Sequence, residues 1–383
     1  MDMKGDGWGV ETICQHIGEE YEFQGAVAPP IFQSSLFVYE DPEDFAVRQT
    51  APRQHDYTRI SNPTTEIAER KIAALERTEA CRLFGSGMAA ITAAVFSATK
   101  SGSHVVSTDA AYPPAKAFLR EYLPRFGVET TFVDGRDVQA IADAVRPETA
   151  VIYMESPGSF LYRIQDIEAV CRVAKERGIL TIFDNSTATP YFQRPAEFGV
   201  DIVVHSVTKY LAGHSDVVAG AACGNEELLN ELRRNEGRIL GATLDPFAAW
   251  LLIRSLRTFP LRMERHRDNA MKVAELLKDH ANVGKVFYPG LPDHERYDLV
   301  QKQMSGPSGM VSFEPGFQDR ERVFQFCRDL QLFQIGVSWG GHESLCAPLC
   351  LPESDNRWFV RFSVGLETAD DLLADLDRAL GRA

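Results

Sequence analysis

Lys209 is the residue whose neighbours in the sequence best fit a catalytic role. It follows the apolar run DIVVH (201–205) and lies among small and hydroxyl residues in the segment HSVTKYLAGHSD. A lysine that is partly removed from water has a lowered pKa and can act as a nucleophilic amine. Ser206 and Thr208 place two hydroxyl donors beside it. The segment therefore favours a lysine that forms a Schiff base with an aldehyde cofactor, with a phosphate nearby.

Two further features lie where predicted strands end. FGSGMAA (84–90) is a glycine-rich turn that opens a helix, and the free backbone N–H groups of a helix start can bind a phosphate. Asp184 ends the apolar run ILTIFD, where it could cap a turn or pair with a buried positive nitrogen. Because ligands of an open α/β sheet bind outside the carboxyl ends of its strands, we expect both features to lie near Lys209.

Two classes of cofactor are compatible with the glycine-rich turn. It matches the G-x-G-x-x-A fingerprint of nicotinamide-dependent oxidoreductases, with Asp109 about 20 residues further on. That alternative leaves Lys209 and Asp184 without a role. Pyridoxal 5'-phosphate (PLP) uses all three features, since it needs a phosphate site, an acid at its pyridine nitrogen and a lysine at its aldehyde.

An alternation of strands and helices must position these residues. The strand candidates have nearly continuous apolar runs, which are typical of strands that are buried on both faces. Helical patterns such as QDIEAVCRVAKERG, closed by Gly178, separate them. The chain is therefore expected to form an α/β fold with a mostly parallel seven-stranded sheet covered by helices. The candidates are ACRLF (80–84), HVVST (104–108), ETTFV (129–133), AVIYME (150–155), ILTIFD (179–184), DIVVH (201–205) and VVAGAA (217–222).

The pattern changes near residue 240. A long helical stretch (245–280) contains Pro260 as a predicted break, and short strands and helices follow it. We predict an irregular N-terminal arm (1–50), a large cofactor-binding α/β domain (51–240) and a smaller C-terminal α+β domain (241–383). In the late strand RWFVRFSV, Arg361 is flanked by apolar residues, which indicates a bound anion or a structural ion pair.

Composition excludes several classes of function. The 383-residue chain has a net charge of −14, which argues against a nucleic-acid partner. It has no run of about 18 apolar residues, so no membrane partner is expected. The first residues, MDMKGDGWGVETICQHIGEE, lack the apolar core of a signal peptide. The seven cysteines show no metal-ligand spacing, so we expect free thiols, a cytoplasmic protein and no metal.

Several motifs together resemble the Cys/Met-metabolism PLP enzymes, a family that includes cystathionine γ-synthase, cystathionine β- and γ-lyases and methionine γ-lyase. The resemblance extends from about residue 25 to the C-terminus. It implies fold type I, a small amino-acid substrate, and a homo-oligomer whose active site is shared across a dimer, within a tetramer. The motifs are HSVTKYLAGHSD, YTRISNPT (57–64), FGSGMAA, FDNSTATP (183–190), SWGGHESL (338–345) and RFSVGLE (361–367).

The resemblance also implies residue roles. Lys209 would carry PLP covalently and later move protons, and Asp184 would pair with the pyridine nitrogen. Tyr112 would stack on the ring and assist proton transfer, while Arg361 would bind the substrate carboxylate. Ser159 would lie near the cofactor hydroxyl. The residues implied for the phosphate are Gly87, Met88, Ser206 and Thr208, with Tyr57 and Arg59 from the neighbouring subunit; those implied for the substrate include Ser338, Trp339 and Tyr57.

Departures from the common pattern bear on the reaction. AYPP (111–114), ESPGSF (155–160) and SWGG resemble bacterial cystathionine β-lyases, whereas YTRISNPT is closer to the γ-acting members. Val337 stands where γ-synthases and cystathionine γ-lyases have a glutamate, as in methionine γ-lyase-like members. We therefore expect a carbon–sulfur lyase of the cystathionine β-lyase type, with γ-elimination or γ-replacement as the alternative. The exact substrate and the roles of Val337 and His342 stay open.

Overall fold

The computed structural model describes residues 7–20, 23–48, 55–351 and 354–382. Within these ranges, seven strands form the first sheet, in the order β1-β7-β6-β5-β4-β2-β3. All pairs are parallel except the two that the seventh strand makes with the first and the sixth. The predicted, mostly parallel sheet is thereby confirmed. The strands are β1 (Ala80–Phe84), β2 (His104–Thr108), β3 (Glu129–Val133), β4 (Thr149–Glu155), β5 (Leu180–Asp184), β6 (Ile202–His205) and β7 (Gly220–Gly224).

Strand β7 begins later than its apolar pattern predicts. Val217–Ala219 precede it, and the side chain of Val218 is 64% exposed. A Cβ atom on Gly220 would lie 2.1 Å from the Ser86 carbonyl oxygen, so the strand starts where its backbone passes closely under the glycine-rich turn. The prediction of a strand over 217–222 was therefore wrong at both ends, because this close contact decides where pairing begins.

Five strands form a second sheet in the C-terminal part, in the order β10-β11-β12-β9-β8. In the apolar segment FQIGVSW (333–339) only two residues form a strand, and the strand Leu345–Leu351 was missed because its sequence, LCAPLCL, contains a proline and no β-branched residue. It pairs with the arginine-bearing strand that the sequence did predict. The strands are β8 (Val283–Phe287), β9 (Met310–Pro315), β10 (Gln334–Ile335), β11 (Leu345–Leu351) and β12 (Arg357–Ser363).

Helices cover both faces of the first sheet. The expectation of an irregular N-terminal arm was wrong in part, since the arm contains two short helices. The helices are α1 (Val10–His16), α2 (Pro42–Ala46), α3 (Pro63–Glu76), α4 (Gly87–Ala98), α5 (Pro113–Ala117), α6 (Val138–Ala144), α7 (Ile167–Glu176), α8 (Thr189–Phe192), α9 (Glu226–Leu232), α10 (Arg238–Leu240), α11 (Pro246–Leu256), α12 (Phe259–Asp279), α13 (Tyr297–Gln303), α14 (Arg320–Asp329) and α15 (Ala369–Arg382).

The predicted break in the long helical stretch is confirmed, at the boundary between α11 and α12. Pro260 is the second residue of α12, where its missing N–H leaves no helical hydrogen bond unmade. The predicted domain boundaries stay predictions, and the one between residues 50 and 51 lies outside the described residues. In the part of the chain that the structure describes, no helix is both long and apolar enough to cross a membrane.

The two sheets meet behind the lysine motif. Tyr210, which follows Lys209, is fully buried, and its hydroxyl accepts a hydrogen bond from the Gly309 N–H at 3.0 Å, just before β9. Its ring packs against Trp339 at 5.5 Å between centroids. The turn after β6 is thus held against the second sheet, which brings residues of both sequence halves into one site.

Candidate active site

Lys209 lies in the turn that follows β6. Its Nζ donates a hydrogen bond to Ser338 Oγ at 2.6 Å and lies 5.2 Å from the centroid of the Trp339 ring. Burial, and then the positive charge of Arg361, lower the pKa of Lys209 to about 8. A lysine with this pKa supplies far more uncharged amine at neutral pH than an ordinary one, as a Schiff-base lysine requires.

Asp184 ends β5 and is buried. Its Oδ1 accepts a hydrogen bond from the Ser186 N–H at 2.9 Å, and it forms no ion pair with any described residue. Burial raises the pKa of Asp184, while the hydrogen bond from Ser186 and the nearby Lys209 oppose the rise. A protonated ring nitrogen brought next to this carboxyl would favour its ionised form, so the residue fits the predicted partner of a pyridine nitrogen.

The start of α4 forms the predicted anion cradle. Ser86 caps the helix by accepting the Ala89 N–H at 3.1 Å, and Gly87 is its first residue. A Cβ atom on Gly87 would lie 2.9 Å from Ser206, so only glycine lets the helix start and the Ser206 hydroxyl approach so closely. The Gly87 and Met88 N–H groups and this hydroxyl thus lie together, where a phosphate would be bound.

Thr208 has a different arrangement from the one expected. Its hydroxyl donates to the Ala219 carbonyl oxygen at 3.1 Å and accepts the Ala219 N–H at 3.0 Å. A hydroxyl has one proton to donate, so Thr208 must rotate before it can bind a phosphate. In the structure it joins the lysine turn to the residue before β7 instead.

Arg361 lies on β12 and its side chain is buried. Its Nη2 donates to the carbonyl oxygens of Val337 and Ser338 at 2.7 and 3.2 Å, while its Nε has no hydrogen-bond partner. Among the described residues no carboxylate pairs with it, so the alternative of a structural ion pair has no support there. A buried guanidinium without an acidic partner, near Lys209, fits an anionic group of a ligand such as a carboxylate.

Tyr112 and Ser159 meet at a residue that the sequence analysis missed. The Tyr112 N–H donates to Glu155 Oε2 at 2.6 Å, and the Ser159 hydroxyl donates to Glu155 Oε1 at 2.8 Å. Glu155 ends β4 directly opposite Asp184 in the parallel register. The signal was present, because Glu155 closes the run AVIYME just as Asp184 closes ILTIFD. Tyr112 itself is 41% exposed, so part of the residue is accessible to a ligand.

Tyr57 and Arg59 lie apart from these residues. Leu36 forms an isolated β-bridge with Tyr57, and the Arg59 guanidinium lies 5.4 Å from the Tyr57 ring centroid and donates to the Arg238 carbonyl oxygen. In the described ranges, none of their hydrogen bonds or ring contacts joins them to Lys209 or Asp184 of the same chain. Their predicted role, as residues given by a neighbouring subunit, stays a prediction.

The residues around Lys209 fit PLP. The amine, the buried Asp184 carboxyl and the cradle at Gly87 lie at the carboxyl-terminal edge of one sheet, as the three polar parts of the cofactor demand. The unpartnered Arg361 Nε on the neighbouring sheet leaves a site for the substrate carboxylate. Apart from the rotation required of Thr208, the donors that the sequence assigned to this chain are compatible with bound PLP, and their individual roles stay predictions.

Comparisons with known proteins agree. The family described as Cys/Met metabolism PLP-dependent enzyme matches residues 11–381. An L-methionine γ-lyase of Fusobacterium nucleatum subsp. nucleatum is 39% identical over 99% of both chains, and a cystathionine γ-lyase of Bacillus subtilis is 40% identical over 94% of this chain and 95% of its own. The crystal structure of metB from Corynebacterium glutamicum matches with a TM-score of 0.92 and 34% identity over 99% of both chains, which confirms the expected fold type I. The chain therefore belongs to the Cys/Met metabolism family of enzymes and depends on pyridoxal phosphate.

Proposed function

We propose that this enzyme is a carbon–sulfur lyase that removes a thiol from the β carbon of an S-substituted cysteine. The observation that carries the proposal is the convergence of three groups: the Lys209 amine with a pKa lowered to about 8, the buried Asp184, and Arg361, whose Nε has no hydrogen-bond partner. Bound PLP supplies an electron sink for the negative charge that develops at the substrate α carbon. Elimination of a leaving group on the neighbouring carbon is the reaction that such a site supports.

The chain's own residues divide the remaining work. Arg361 would hold the substrate carboxylate and thereby orient the α carbon toward Lys209 Nζ, which takes the α proton as general base. Burial, with the carboxyls of Asp184 and Glu155 nearby, raises the pKa of Tyr112, so its hydroxyl keeps a proton at neutral pH. We assign that proton to the departing thiolate.

The β position is favoured by three departures from the common pattern that cluster around the pocket. Pro113 and Pro114 follow Tyr112 and form the first turn of α5. Ser159 replaces the asparagine of γ-acting members and donates its proton to Glu155. Trp339 lies under the Lys209 amine. All three resemble bacterial β-lyases.

Elimination from the γ carbon is the second candidate. Val337 is 89% exposed, and its carbonyl oxygen binds Arg361, so its side chain lies beside the predicted carboxylate site. Methionine γ-lyase-like members have valine there, and relatives of that name are 39% and 38% identical to this chain. An apolar residue at position 337 favours a substrate without a distal ammonium group. This holds whether the bond is cleaved at the β or at the γ carbon.

A matched pair of substrates separates the two candidates. S-Methyl-L-cysteine and L-methionine release the same methanethiol, but from the β and the γ carbon respectively. Pyruvate from S-methyl-L-cysteine in excess over 2-oxobutyrate from L-methionine would support β-elimination, and the reverse ratio would overturn it. L-Cystathionine allows the same comparison for a substrate with a distal ammonium group, since it yields pyruvate by β-elimination and 2-oxobutyrate by γ-elimination. Lys209→Ala serves as the control. Borohydride reduction fixes a Schiff base between a lysine and the cofactor, so the peptide around position 209 should carry PLP in the wild type and not in the variant. Reduced cofactor on that peptide of the variant would contradict the role of Lys209.

A dimer is the minimal active unit in this proposal. Gln33 of the N-terminal arm bonds to Asp245, the N-cap of α11, and Arg59 bonds to the carbonyl oxygen of Arg238 in α10, so the arm and the segment 238–247 lie near Tyr57 and Arg59. Apolar side chains of both segments are exposed in the single chain, which is typical of a surface that a second subunit covers. They include Val27, Leu36, Ile239, Leu240 and Phe247. We extend this to a tetramer on the resemblance alone.

Complementation tests the shared site. Lys209→Ala and Arg59→Ala should each be nearly inactive, because one lacks the amine and the other lacks the phosphate contact given to the partner. When the two chains are co-expressed, half of the dimers are mixed and each has one complete site, so activity should return to roughly a quarter of the wild-type value. No recovery, with mixed dimers shown by native mass spectrometry, would contradict a shared site.

We also place the enzyme in the cytoplasm. All seven cysteines are free thiols, six of them buried, and a reducing compartment preserves such a set. Fractionation of cells that express the untagged chain checks this, and recovery in a secreted fraction would overturn it.

A further inference from the structure

Glu155 is a buried carboxyl that no assigned role explains. It ends β4, is 4% exposed, and forms no ion pair with any described residue. A buried acid without a positive partner is costly for a fold. Its two contacts are hydrogen bonds that it accepts from the Tyr112 N–H and the Ser159 hydroxyl, at 2.6 and 2.8 Å.

The contact with the Tyr112 N–H fixes the backbone conformation of Tyr112 at the start of α5. Tyr112 is the N-cap of α5 and its side chain makes no capping hydrogen bond. Pro113 and Pro114 follow it and have no N–H, so the Tyr112 N–H is the backbone donor through which this turn is anchored. The ring direction follows from this backbone conformation.

Glu155 also joins the turn before α5 to the loop after β4. The Ser159 N–H donates to the Ala110 carbonyl oxygen at 2.8 Å, and a Cβ atom on Gly158 would lie 2.8 Å from Ala110 Cβ. The two segments therefore pack directly on each other, and one carboxyl binds both. Displacing the carboxyl would release the tyrosine turn from the sheet.

We propose that Glu155 is a positioning residue, which acts through Tyr112 by holding its ring over the cofactor and its hydroxyl toward the substrate. The inference rests on the proposed function, in which Tyr112 stacks on PLP and gives up a proton. It assigns to Glu155 no contact with the cofactor or the substrate.

The electrostatic setting agrees with this role. The titratable neighbours Asp184, Tyr153 and Tyr112 are all acids, and Asp184 lies directly opposite in the strand register. Burial, and then the charge of Asp184, raise the pKa of Glu155 well above its usual range. A protonated Glu155 still accepts the Tyr112 N–H through its carbonyl oxygen, and it leaves the negative charge to Asp184. A neutral side chain of the same shape, such as glutamine, should therefore hold Tyr112 as well as Glu155 does.

The test compares Glu155→Gln with Glu155→Ala in the PLP-loaded enzyme. Glu155→Gln should keep kcat within about 3-fold of the wild type. Glu155→Ala should lower kcat by about 10- to 100-fold and change the visible circular dichroism of the bound cofactor, because the ring moves. Asp201→Ala is the matched control, since Asp201 accepts a backbone N–H and a hydroxyl proton, both from Thr181, at the opposite edge of the same sheet.

A double-mutant cycle separates positioning from general structural support. In a Tyr112→Ala background, Glu155→Ala should cause no further loss of kcat, because the residue through which it acts is gone. Additive losses, or a Glu155→Gln variant as poor as Glu155→Ala, would overturn the proposal. If Glu155→Ala does not fold, Glu155→Asp gives the same comparison, since its shorter side chain cannot reach both donors.

Failure of the proposed function is distinguishable from failure of this inference. Borohydride reduction and peptide mapping first show whether the wild type carries PLP on Lys209, and product analysis shows whether it eliminates a thiol. If either result is negative, the proposed function fails. If both are positive and Glu155→Ala behaves like Asp201→Ala in kcat and circular dichroism, the positioning role alone fails.

Discussion

The Lys209 amine donates a hydrogen bond to Ser338 Oγ at 2.6 Å, and the same short segment binds Arg361 through the carbonyl oxygens of Val337 and Ser338. Lys209 follows β6 of the first sheet, while Arg361 lies on β12 of the second. One segment thus links the amine that carries the cofactor to the guanidinium that would bind the substrate carboxylate.

Ser338→Ala removes the acceptor from the Lys209 amine. Hydrogen bonds to charged groups contribute about 1.5–3 kcal/mol, so misplacement of the amine should lower kcat by roughly tenfold or more. Steady-state kinetics with S-methyl-L-cysteine measure this. Ser305→Ala is the control, because that hydroxyl lies at the surface with only long contacts to backbone oxygens. Equal kcat for the two variants would show that the bond has no role.

The pH dependence of cofactor attachment reports the lowered pKa of Lys209. Because the uncharged amine attacks the aldehyde, the rate with which cofactor-free protein binds PLP covalently should rise with pH and level off above a midpoint of about 8. Arg361 lowers this pKa, so Arg361→Met should move the midpoint upward. Arg357→Ala, on the same strand but exposed and paired with Glu314, should leave it unchanged. A wild-type midpoint near that of an ordinary lysine would contradict the burial of the amine.

Gly87→Ala tests the anion cradle. The added methyl group would lie 2.9 Å from Ser206, so the helix start and the lysine turn must separate. We expect the affinity for PLP to fall by roughly 10-fold, which corresponds to about 1.4 kcal/mol. Equilibrium dialysis measures it. Gly381→Ala is the matched control, because a Cβ atom there meets no atom within 4 Å. Unchanged affinity in Gly87→Ala would place the phosphate elsewhere.

Val337→Glu tests whether the side chain at position 337 contacts the distal ammonium group of a substrate. The side chain at this position is 89% exposed, so the change should cost little stability. A carboxylate there could meet a distal ammonium, and we expect kcat/KM for L-cystathionine to rise roughly 10-fold relative to S-methyl-L-cysteine. Ile335→Glu, exposed on β10, is the control for added negative charge. An equal change for both substrates in Val337→Glu would show that this position does not face the substrate.

The sequence by itself determined the first sheet and the choice of Lys209 and Asp184 as candidate cofactor-binding residues. Strands β1, β2 and β3 match their predicted bounds; β1 and β2 are almost wholly buried, whereas β3, at the edge of the sheet, is only partly buried. Lys209 and Asp184 follow apolar runs directly, and parallel strands place their carboxyl ends at one edge. Those residues could be assigned without coordinates, since each depends on neighbours close in the chain.

Only the tertiary structure decided the contacts between distant segments. Strand β11 was missed because LCAPLCL gains its conformation from pairing with β12 rather than from its own residues. The position of Glu155 at the end of an apolar run was visible in the sequence, but its contact with Tyr112, 43 residues away, was not. Among the described residues Arg361 has no acidic partner and the Thr208 hydroxyl is bound to Ala219, and both facts follow from how the two sheets and the lysine turn pack. Local pattern sets which residues can be strand or helix, whereas burial and hydrogen bonding across the chain set which of their side chains meet.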